Sequence, residues 1–542
     1  MLTTLAAPAF AGTWYIENGD ITVKAGKTGN DVTQNNETTY GDTGTVITGK
    51  SDKNTVTIEA KDKGDKVEVK FENVNIDASS RSEAAVSVTG KGDTNIELDG
   101  DNKLQSGSGH AGLEHNKTDT SGELTIQDND KNGSLKAAGG QYGAGIGGAG
   151  VNDAQVKITG GKITATGGEY GGAGIGGGFK GSGDVTISGG EIHANGGNYG
   201  AGIGGGDYSS GKVTISGGEI NATGGYLGAG IGGGEKGRGD VTITGGEITS
   251  ATGGKYGAGI GGGKEGRGDV TIEGNTEVNA AGGAGGAGIG GGYVAKNNSN
   301  QITIKSNENG SPTVNAVGGS RDKTTKFGGA GIGAGGDSTA TTDITLEGKV
   351  TINATAGKDN AAIGANGIEQ EFPGLAGGTS ITRKDSDKND ISPLPGDNVP
   401  DTDTPSGGGS TGGDSTGGDS AGGDSAGGGS SGGGSADASV QESVFPGLVV
   451  TDKDGQRISY TSIRDNNVLS LRVGRFTASL RASLSTLRQL RAEGIDTITF
   501  QTILCSTTLS VDELLAMGGE DAEVVLTHHI RSSTLTVGGR AV

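Results

Sequence analysis

The feature that most constrains the fold is a short phrase, Gly-Ala-Gly-Ile-Gly, which returns along the chain at a nearly fixed interval. The first six copies are 28 or 29 residues apart, and longer gaps separate the later ones. A period of this size is the signature of a repeat protein in which similar units stack on one another. The isoleucines at the centre of the copies are Ile146, Ile175, Ile203, Ile231, Ile260, Ile289 and Ile332, with an altered copy at Ile363.

One repeat, residues 183–211, shows what each unit contains. Apolar residues alternate with polar residues or glycines in three short runs, 185–187, 192–194 and 201–203. Alternation of this kind predicts β-strands with one apolar side. Gly-Gly pairs separate the runs, and such pairs favour turns because glycine adopts positive φ without steric cost. Each repeat is therefore predicted to hold three strands and three turns.

Three strands and three turns in about 28 residues predict one coil of a right-handed parallel β-helix, an all-β solenoid. A propeller blade would need roughly 40–50 residues, and no segment of the repeats offers a helical stripe. Neighbouring coils pair about 4.8 Å apart. Equivalent apolar residues should then form buried ladders, such as Val185 with Val213 and Ile187 with Ile215.

Composition shifts divide the chain into five predicted segments. Residues 1–11 resemble the end of a secretory signal, because Ala9-Phe10-Ala11 fits a signal peptidase site. Residues 12–83 are predicted to form a cap and the first coils, and 84–392 the β-helix repeats. A Gly/Ser/Asp-rich linker is predicted at 393–438 and a small α+β domain at 439–542.

Charge and composition restrict the partners. The net charge is −21 and the sequence pI about 4.7, which argues against nucleic acid. No run of 18 apolar residues is present, so no membrane-spanning segment is expected. With the signal-like start, these features predict a secreted or cell-surface protein.

Two repeated surface features are candidates for ligand binding. A tyrosine precedes the Gly-Ala-Gly-Ile phrase in five repeats, and stacked rings suit a sugar, whose face packs on an aromatic plane. A ladder that only covers a turn of the coil is the structural alternative. The glycines of the phrase are expected to point outward as a stripe without side chains, which marks the close approach of a ligand, another backbone or another protein. The predicted carbohydrate-binding tyrosines are Tyr142, Tyr170, Tyr199, Tyr226 and Tyr256.

Carboxylates also recur in register. Glu191, Glu219 and Glu247 should stack, with Lys162 in the same position one coil earlier. Like charges about 4.8 Å apart repel one another unless a cation lies between them. Calcium accepts oxygen ligands in flexible geometry, so these glutamates are the candidate metal ligands, with a solvated acidic face as the alternative.

Catalysis receives little support from the sequence. The five histidines show neither metal-ligand spacing nor a recognisable triad. Gly-x-Ser-x-Gly occurs only in the predicted linker, where no strand-to-helix elbow can form. We therefore expect a non-enzyme, with a polysaccharide lyase or hydrolase on the same fold as the competing hypothesis.

The succession from Val185 to Gly206 resembles that of bacterial carbohydrate-binding β-helix proteins of clostridial type. The resemblance covers roughly residues 15–370. Proteins of this kind look like pectate lyases without the lyase site, and the resemblance implies binding of polygalacturonate or cellulose, with calcium sites. The C-terminal domain resembles modules attached to similar secreted proteins.

The resulting functional hypothesis is a secreted or cell-surface, non-catalytic, adhesin-like protein that binds plant or host polysaccharide. A cell-surface partner could be engaged through the C-terminal domain. A purely structural surface stalk is a further alternative.

Overall fold

The structure is a computed structural model that describes residues 11–394 except 297–298, residue 397, and residues 448–541 except 453–454, 459, 466, 474–476, 503–505, 518–521 and 529–532. The predicted signal residues 1–10 and most of the predicted linker lie outside the described residues. The chain divides into two compact units, Met1–Pro405 and Ser406–Val542, and each is described by itself.

Two sheets form the first unit. The wide sheet has 19 strands: Thr13–Tyr15, Val46–Ser51, Lys66–Asp77, Asp93–Asp99, Asp101–Gln105, Leu124–Gln127, Ser134–Ala138, Ala154–Ile158, Lys162–Thr166, Gly183–Asn195, Gly211–Thr223, Gly239–Thr252, Gly268–Glu273, Glu277–Ala281, Asn300–Lys305, Thr313–Val317, Thr342–Glu347, Thr351–Thr355 and Ser380–Lys384. The narrow sheet has 15 strands: Ile21–Ala25, Asn30–Gln34, Glu37–Asp42, Val56–Ala60, Val86–Gly90, Leu113–His115, Ile146–Gly147, Ile175–Gly176, Ile203–Gly204, Ile231–Gly232, Ile260–Gly261, Ile289–Gly290, Ile332–Gly333, Ile363–Ala365 and Ile368–Glu369. One 3-10 helix, Ile16–Asn18, follows the first strand.

The coils stack in parallel and in register, as the period predicts. Ile175 pairs with Ile146 on one side and with Ile203 on the other, and the same ladder continues to Ile363. On the wide sheet, Val185 pairs with Val213 and Ile187 with Ile215. These side chains are at most 1% exposed, so the ladders form the core of a parallel β-solenoid, and the all-β fold prediction is confirmed.

The first two predicted strands of a coil belong to the same sheet. In the most regular coils they merge into one long strand, such as Gly183–Asn195. The register with the next coil shifts between Ile187 and Glu191, where Gly190 has a φ of +95°. The glycine pair therefore bends a continuous strand instead of ending it, because glycine tolerates this conformation.

The third strand of each regular coil is only two residues long, because glycine follows the inward isoleucine. Gly204 has a φ of +130°, and a Cβ on it would lie 2.1 Å from the carbonyl oxygen of Gly232 in the next coil. No side chain fits in that space. The glycines thus allow the backbones of neighbouring coils to approach closely.

Different structural elements close the two ends of the solenoid. At the N-terminal end, the antiparallel strands Asn30–Gln34 and Glu37–Asp42 extend the narrow sheet beyond Ile21–Ala25. At the C-terminal end, fully buried Arg383 forms hydrogen bonds with both carboxylate oxygens of Asp397. Unusual first and last units are common in solenoids, whose terminal coils have only one neighbour.

The second unit contains a small helix-bearing sheet region, as the sequence predicts. Its five-stranded sheet comprises Leu448–Thr451, Ala478–Ser483, Glu523–His528, Ser533–Val537 and Arg540–Ala541, and its four-stranded sheet Thr461–Asp465, Val468–Arg472, Thr497–Gln501 and Ser506–Ser510. The helices are Leu484–Ala492 and Val511–Leu515. Among the described residues, no helix has both the length and the apolar character that crossing a membrane requires.

Candidate functional site

The predicted tyrosines lie in the turn that leads from the wide sheet to the narrow sheet. A second turn, which follows the glycine phrase, runs beside it in the next coil: the amide of Phe179 donates to the carbonyl of Tyr142 at 2.7 Å, and the amide of Tyr293 to that of Tyr256 at 2.9 Å. The two series of turns therefore combine their side chains on one surface. We call it the aromatic stripe, and its members are Tyr142, Tyr170, Phe179, Tyr199, Tyr208, Tyr226, Tyr256 and Tyr293.

The rings contact one another in two groups. Tyr142 stacks on Tyr170 with ring centroids 5.4 Å apart and meets Phe179 edge-on at 5.5 Å. Farther along, Tyr256 stacks on Tyr293 at 5.4 Å and meets Tyr226 edge-on at 5.7 Å. Stacked and edge-on pairs at these distances are the favourable arrangements of aromatic rings. The tyrosine column is therefore real but discontinuous.

Tyr199 occupies the gap between the two groups, and among the described residues it has no ring contact. Tyr142, Tyr199 and Tyr256 each stand four residues before the isoleucine of their coil, whereas Tyr170 and Tyr226 stand five before it. Tyr142 and Tyr170 stack despite this difference of one residue, so position in the sequence alone does not decide which rings make contact.

Lysine ammonium groups lie over several rings of the stripe. Nζ of Lys236 is 4.7 Å from the ring centroid of Tyr208, and Nζ of Lys180 is 6.0 Å from it. Among the described residues, neither lysine has a carboxylate within ion-pair distance. Both are exposed. Although the chain has a net charge of −21, this part of the stripe presents positive charge beside an aromatic ring, an arrangement stabilised by cation–π attraction.

Two carboxyl groups lie under this lysine-rich part. Asp207 is 4% exposed and Glu235 is 7% exposed, and they occupy equivalent turns of adjacent coils. Oδ1 of Asp207 has no hydrogen-bond partner in the described part of the chain, while Glu235 accepts from Nζ of Lys264 at 3.2 Å. Burial, helped by the nearby charge of Glu235, raises the pKa of Asp207 to about 6.

A loop inserted after the sixth repeat, residues 320–326, covers the far end of the stripe. The hydroxyls of Tyr256 and Thr324 are 2.6 Å apart, and Lys255 forms an ion pair of 3.0 Å with Asp322. Desolvation, helped by a hydrogen bond to Asp337, raises the pKa of Tyr293 to about 12. The end of the stripe near Tyr142 is therefore the more open one.

The glycines of the repeated phrase are buried, so the expectation of an outward stripe without side chains is wrong. Gly200, Gly202, Gly204 and Gly206 are all buried in the coil of residues 183–211. A Cβ on Gly202 would lie 2.6 Å from the carbonyl oxygen of Gly230. The sequence left open whether these glycines approach a ligand, another backbone or another protein. In the structure they approach the backbone of the neighbouring coil.

The glutamate row is in register, as predicted, and its first member is paired with basic side chains. Glu191 pairs with Glu219 and Glu219 with Glu247, and Glu277 extends the row by one coil. Oε1 of Glu191 lies 2.7 Å from Nζ of Lys162 and 3.0 Å from Nε2 of His193. Among the described residues, no group of three or more His, Cys, Asp or Glu side chains is arranged to hold a metal ion.

Several residues near these surfaces were not identified from the sequence. Phe179, Tyr208 and Tyr293 belong to the turn after the phrase, where residue types differ from coil to coil. Only the fixed position of that turn in the repeat could have pointed to them. Similarly, Nδ1 of His110 lies 2.7 Å from Oε2 of Glu114, a pairing of a histidine with an acid that the sequence did not suggest.

Comparison with known proteins supports the fold. A family described as Beta helix repeat matches residues 156–179, 185–207, 213–235, 241–264 and 270–293. The protein is a parallel β-helix. Each matched range begins at the inward valine of the wide sheet and passes through the isoleucine of the narrow sheet, so the five matches coincide with five successive coils. No curated protein and no solved structure matches the chain.

Proposed function

We propose that this β-helix protein acts outside the cell, secreted or held at the cell surface, as a non-catalytic binder of polysaccharide of the kind that its resemblance to clostridial-type bacterial proteins implies. The polymer would run along the aromatic stripe. A single ring contact is weak, but contacts linked along one polymer raise the overall affinity steeply. Only a surface that recurs from coil to coil can meet a repeating polymer several times.

The observation that carries this proposal is the exposure of rings on one side of the solenoid in successive coils. Tyr142, Tyr170 and Tyr208 are 38%, 42% and 51% exposed, although large aromatic side chains are usually more deeply buried. Their hydroxyls can donate to and accept from sugar hydroxyls, and their exposed ring surfaces offer apolar contact. Both properties suit contact with a bound carbohydrate better than packing in the protein interior.

The lysines favour an acidic polysaccharide over a neutral one. Lys180 and Lys236 flank Tyr208 without a carboxylate partner among the described residues, so each can pair with a uronate carboxylate. Binding of an acidic polymer should then weaken as salt rises, because exposed charges are screened within about 8–10 Å at 0.1–0.15 M salt. Polygalacturonate is thus the first polymer to test and cellulose its neutral counterpart.

Affinity electrophoresis in gels that contain polygalacturonate tests the proposal directly. The wild-type protein should be retarded, and replacing Tyr142, Tyr170 and Tyr199 together by Ala should remove most of the retardation. Tyr40→Ala is the matched control, because Tyr40 is 75% exposed and lies in the N-terminal hairpin away from the stripe. Circular dichroism must show that all variants keep the β-sheet signal.

Four outcomes would contradict the proposal. Equal retardation of the triple variant would mean that the rings do not bind the polymer. Absence of binding to any polysaccharide would favour a structural stalk. An unsaturated product that absorbs in the ultraviolet would indicate a lyase, and new reducing ends without such absorption would indicate a hydrolase.

A further inference from the structure

A second candidate site lies on the narrow sheet, in the coils before the regular repeats. There the strands Ile21–Ala25, Val56–Ala60 and Val86–Gly90 are five residues long, and the residue after the inward apolar position carries a side chain. Thr22 pairs with Thr57, Thr57 with Ser87, Ser87 with Glu114, and Glu114 with Gly147. A polar column thus runs along this face and ends where the glycines begin.

The middle of this column forms the floor of a groove of about 310 Å³. We call it the N-terminal groove, and its polar lining includes Asp20, Thr57, Glu83, Ser87, His110 and Glu114. The volume lies at the low end of the range of roughly 300–1,000 Å³ that is usual for small-molecule sites. The groove is therefore suited to one small ligand, not to a long polymer.

Fixed backbone contacts hold the walls in place. The buried hydroxyl of Ser106 accepts from the amide of Ala85 at 2.8 Å and donates to the carbonyl of Ala111 at 2.6 Å. It thereby links the turn that carries Glu83 to the turn that carries His110. A preformed wall of this kind reduces the ordering cost of binding.

Glu114 is held rigidly at one end of the groove. It is 7% exposed, its Oε1 accepts from Nδ2 of Asn116 at 3.0 Å, and its Oε2 lies 2.7 Å from Nδ1 of His110. Since Nδ1 of His110 donates to the carboxylate, the other ring nitrogen, Nε2, which has no partner within the described ranges, is left for a ligand. His110 is thus oriented by a partner that is itself fixed, as in many binding sites.

The remaining groups of the lining combine donors and acceptors. The hydroxyls of Thr57 and Ser87 have no partner among the described residues, and each can both donate and accept. Oδ1 of Asp20 accepts from the amide of Thr55 at 2.8 Å, and the other carboxylate oxygen has no hydrogen bond to the residues that the structure describes. Arg81 is paired with Glu83 at 2.5 Å and adds further donors.

From this arrangement we infer that the N-terminal groove binds a single sugar residue. A pyranose carries several adjacent hydroxyls, each of which donates and accepts, and it matches a lining of hydroxyls, carboxylates and an imidazole. Ala84, which is 8% exposed, adds a small apolar contact for the C–H groups of the ring. This site does not depend on the aromatic stripe or on the polymer proposed to bind there.

Titration of the full chain with simple methyl glycosides tests this inference. Methyl α-glucopyranoside, methyl α-galactopyranoside and methyl β-xylopyranoside are suitable probes, with binding measured by calorimetry and by ligand-observed NMR. At least one should bind with a dissociation constant in the millimolar range. The double variant Thr57→Val and Ser87→Ala should weaken that binding about tenfold or more. Each substitution removes a hydrogen bond to the ligand, and the two losses together should produce this decrease in affinity.

Thr22→Val is the matched control, because Thr22 lies in the same column one coil before Thr57 but does not line the groove. It should leave the affinity unchanged, and so should the triple tyrosine variant of the aromatic stripe. The inference would be overturned if none of the three glycosides bound. Equal affinity in the wild type and in a folded Thr57→Val, Ser87→Ala variant, as checked by its thermal unfolding, would also overturn it.

Discussion

Nζ of Lys162 lies 2.7 Å from Oε1 of Glu191 in the neighbouring coil, at the start of the glutamate row. The same oxygen accepts from Nε2 of His193 at 3.0 Å. The first glutamate of the row is thus compensated by side chains of the protein. A cation in the stack is not needed to explain how Glu191 is tolerated there.

Lys162→Ala should lower the free energy of unfolding by less than about 1 kcal/mol, because both partners are exposed to solvent. Burial opposes ionisation of Glu191, but hydrogen bonds from Lys162 and His193 hold its pKa below the ordinary 4.5. The contribution is therefore present above about pH 4.5 and is lost as the pH falls through the lowered pKa. Urea unfolding at pH 7 in low salt and in 1 M salt would measure it. A loss that persists in 1 M salt would contradict the ion-pair explanation.

Ile215→Ala should destabilise the solenoid by about 2–5 kcal/mol, because the side chain is fully buried between Ile187 and Ile243. Thr214→Ala, one residue away on the outer side, should cost less than about 1 kcal/mol. Guanidinium unfolding followed by circular dichroism compares the two variants. Equal costs would mean that the inward direction of Ile215 is incorrect.

Gly204→Ala should cost more than about 4 kcal/mol or prevent folding, because it combines a positive φ with a clash against the backbone of the next coil. Gly64→Ala separates these two causes. Gly64 has a φ of +96°, but no atom lies within 4 Å of the position that an added methyl group would take, so only the conformational cost of about 1–2 kcal/mol applies. Thermal unfolding of both variants is the measurement, and similar melting temperatures would refute close packing of the coils at Gly204.

Arg383→Met should cost about 3–5 kcal/mol, because it leaves the carboxylate of Asp397 buried without its partner. Arg321→Met is the control: Arg321 pairs with Asp359 at 3.1 Å on the surface and should contribute less than about 1 kcal/mol. Burial opposes ionisation of Asp397, but the hydrogen bonds from Arg383 keep its pKa below 3.8. This stabilisation should therefore be present above about pH 4 and be lost at lower pH.

Asp207→Asn should stabilise the protein at pH 8 by about 1–2 kcal/mol, because the pKa of this carboxyl is raised to about 6 from 3.8. A raised pKa means that the protonated group favours folding below about pH 4, and that this advantage disappears as the pH rises through 6. The difference between wild type and variant should accordingly vanish at pH 4. Melting temperatures across this range measure it, and a variant that is less stable at pH 8 would contradict the cause given.

The inward positions of this fold could be predicted from the sequence because they follow a strict rule. A side chain in a strand points to alternate sides, and the next coil repeats the pattern, so Val185, Ile187 and Ile203 determine the ladders around them. The register of Glu191 with Glu219 follows for the same reason. The strands Thr497–Gln501 and Glu523–His528 of the second unit show the same alternation of buried and more exposed residues.

The turns could not be predicted in the same way. Whether Tyr199 contacts Tyr170 depends on the direction of side chains in a turn, which no alternating pattern of residues determines. The burial of Gly202 depends on how near the next coil comes, and no local pattern states that distance. The contact between His110 and Glu114 likewise required the path of the chain between them, which brings residues four apart together outside any helix.

Because Gly183 pairs with Gly211 and Gly211 with Gly239, each coil presents to the next the same edge that it receives. Deleting residues 183–210 would join Ser182 to a residue equivalent to its present neighbour, and duplicating them would lengthen the stack without a new junction. Unequal recombination within such a gene could therefore add or remove whole coils in a single event. The length of the aromatic stripe would then change by one coil at a time, and a solenoid of each intermediate length could fold.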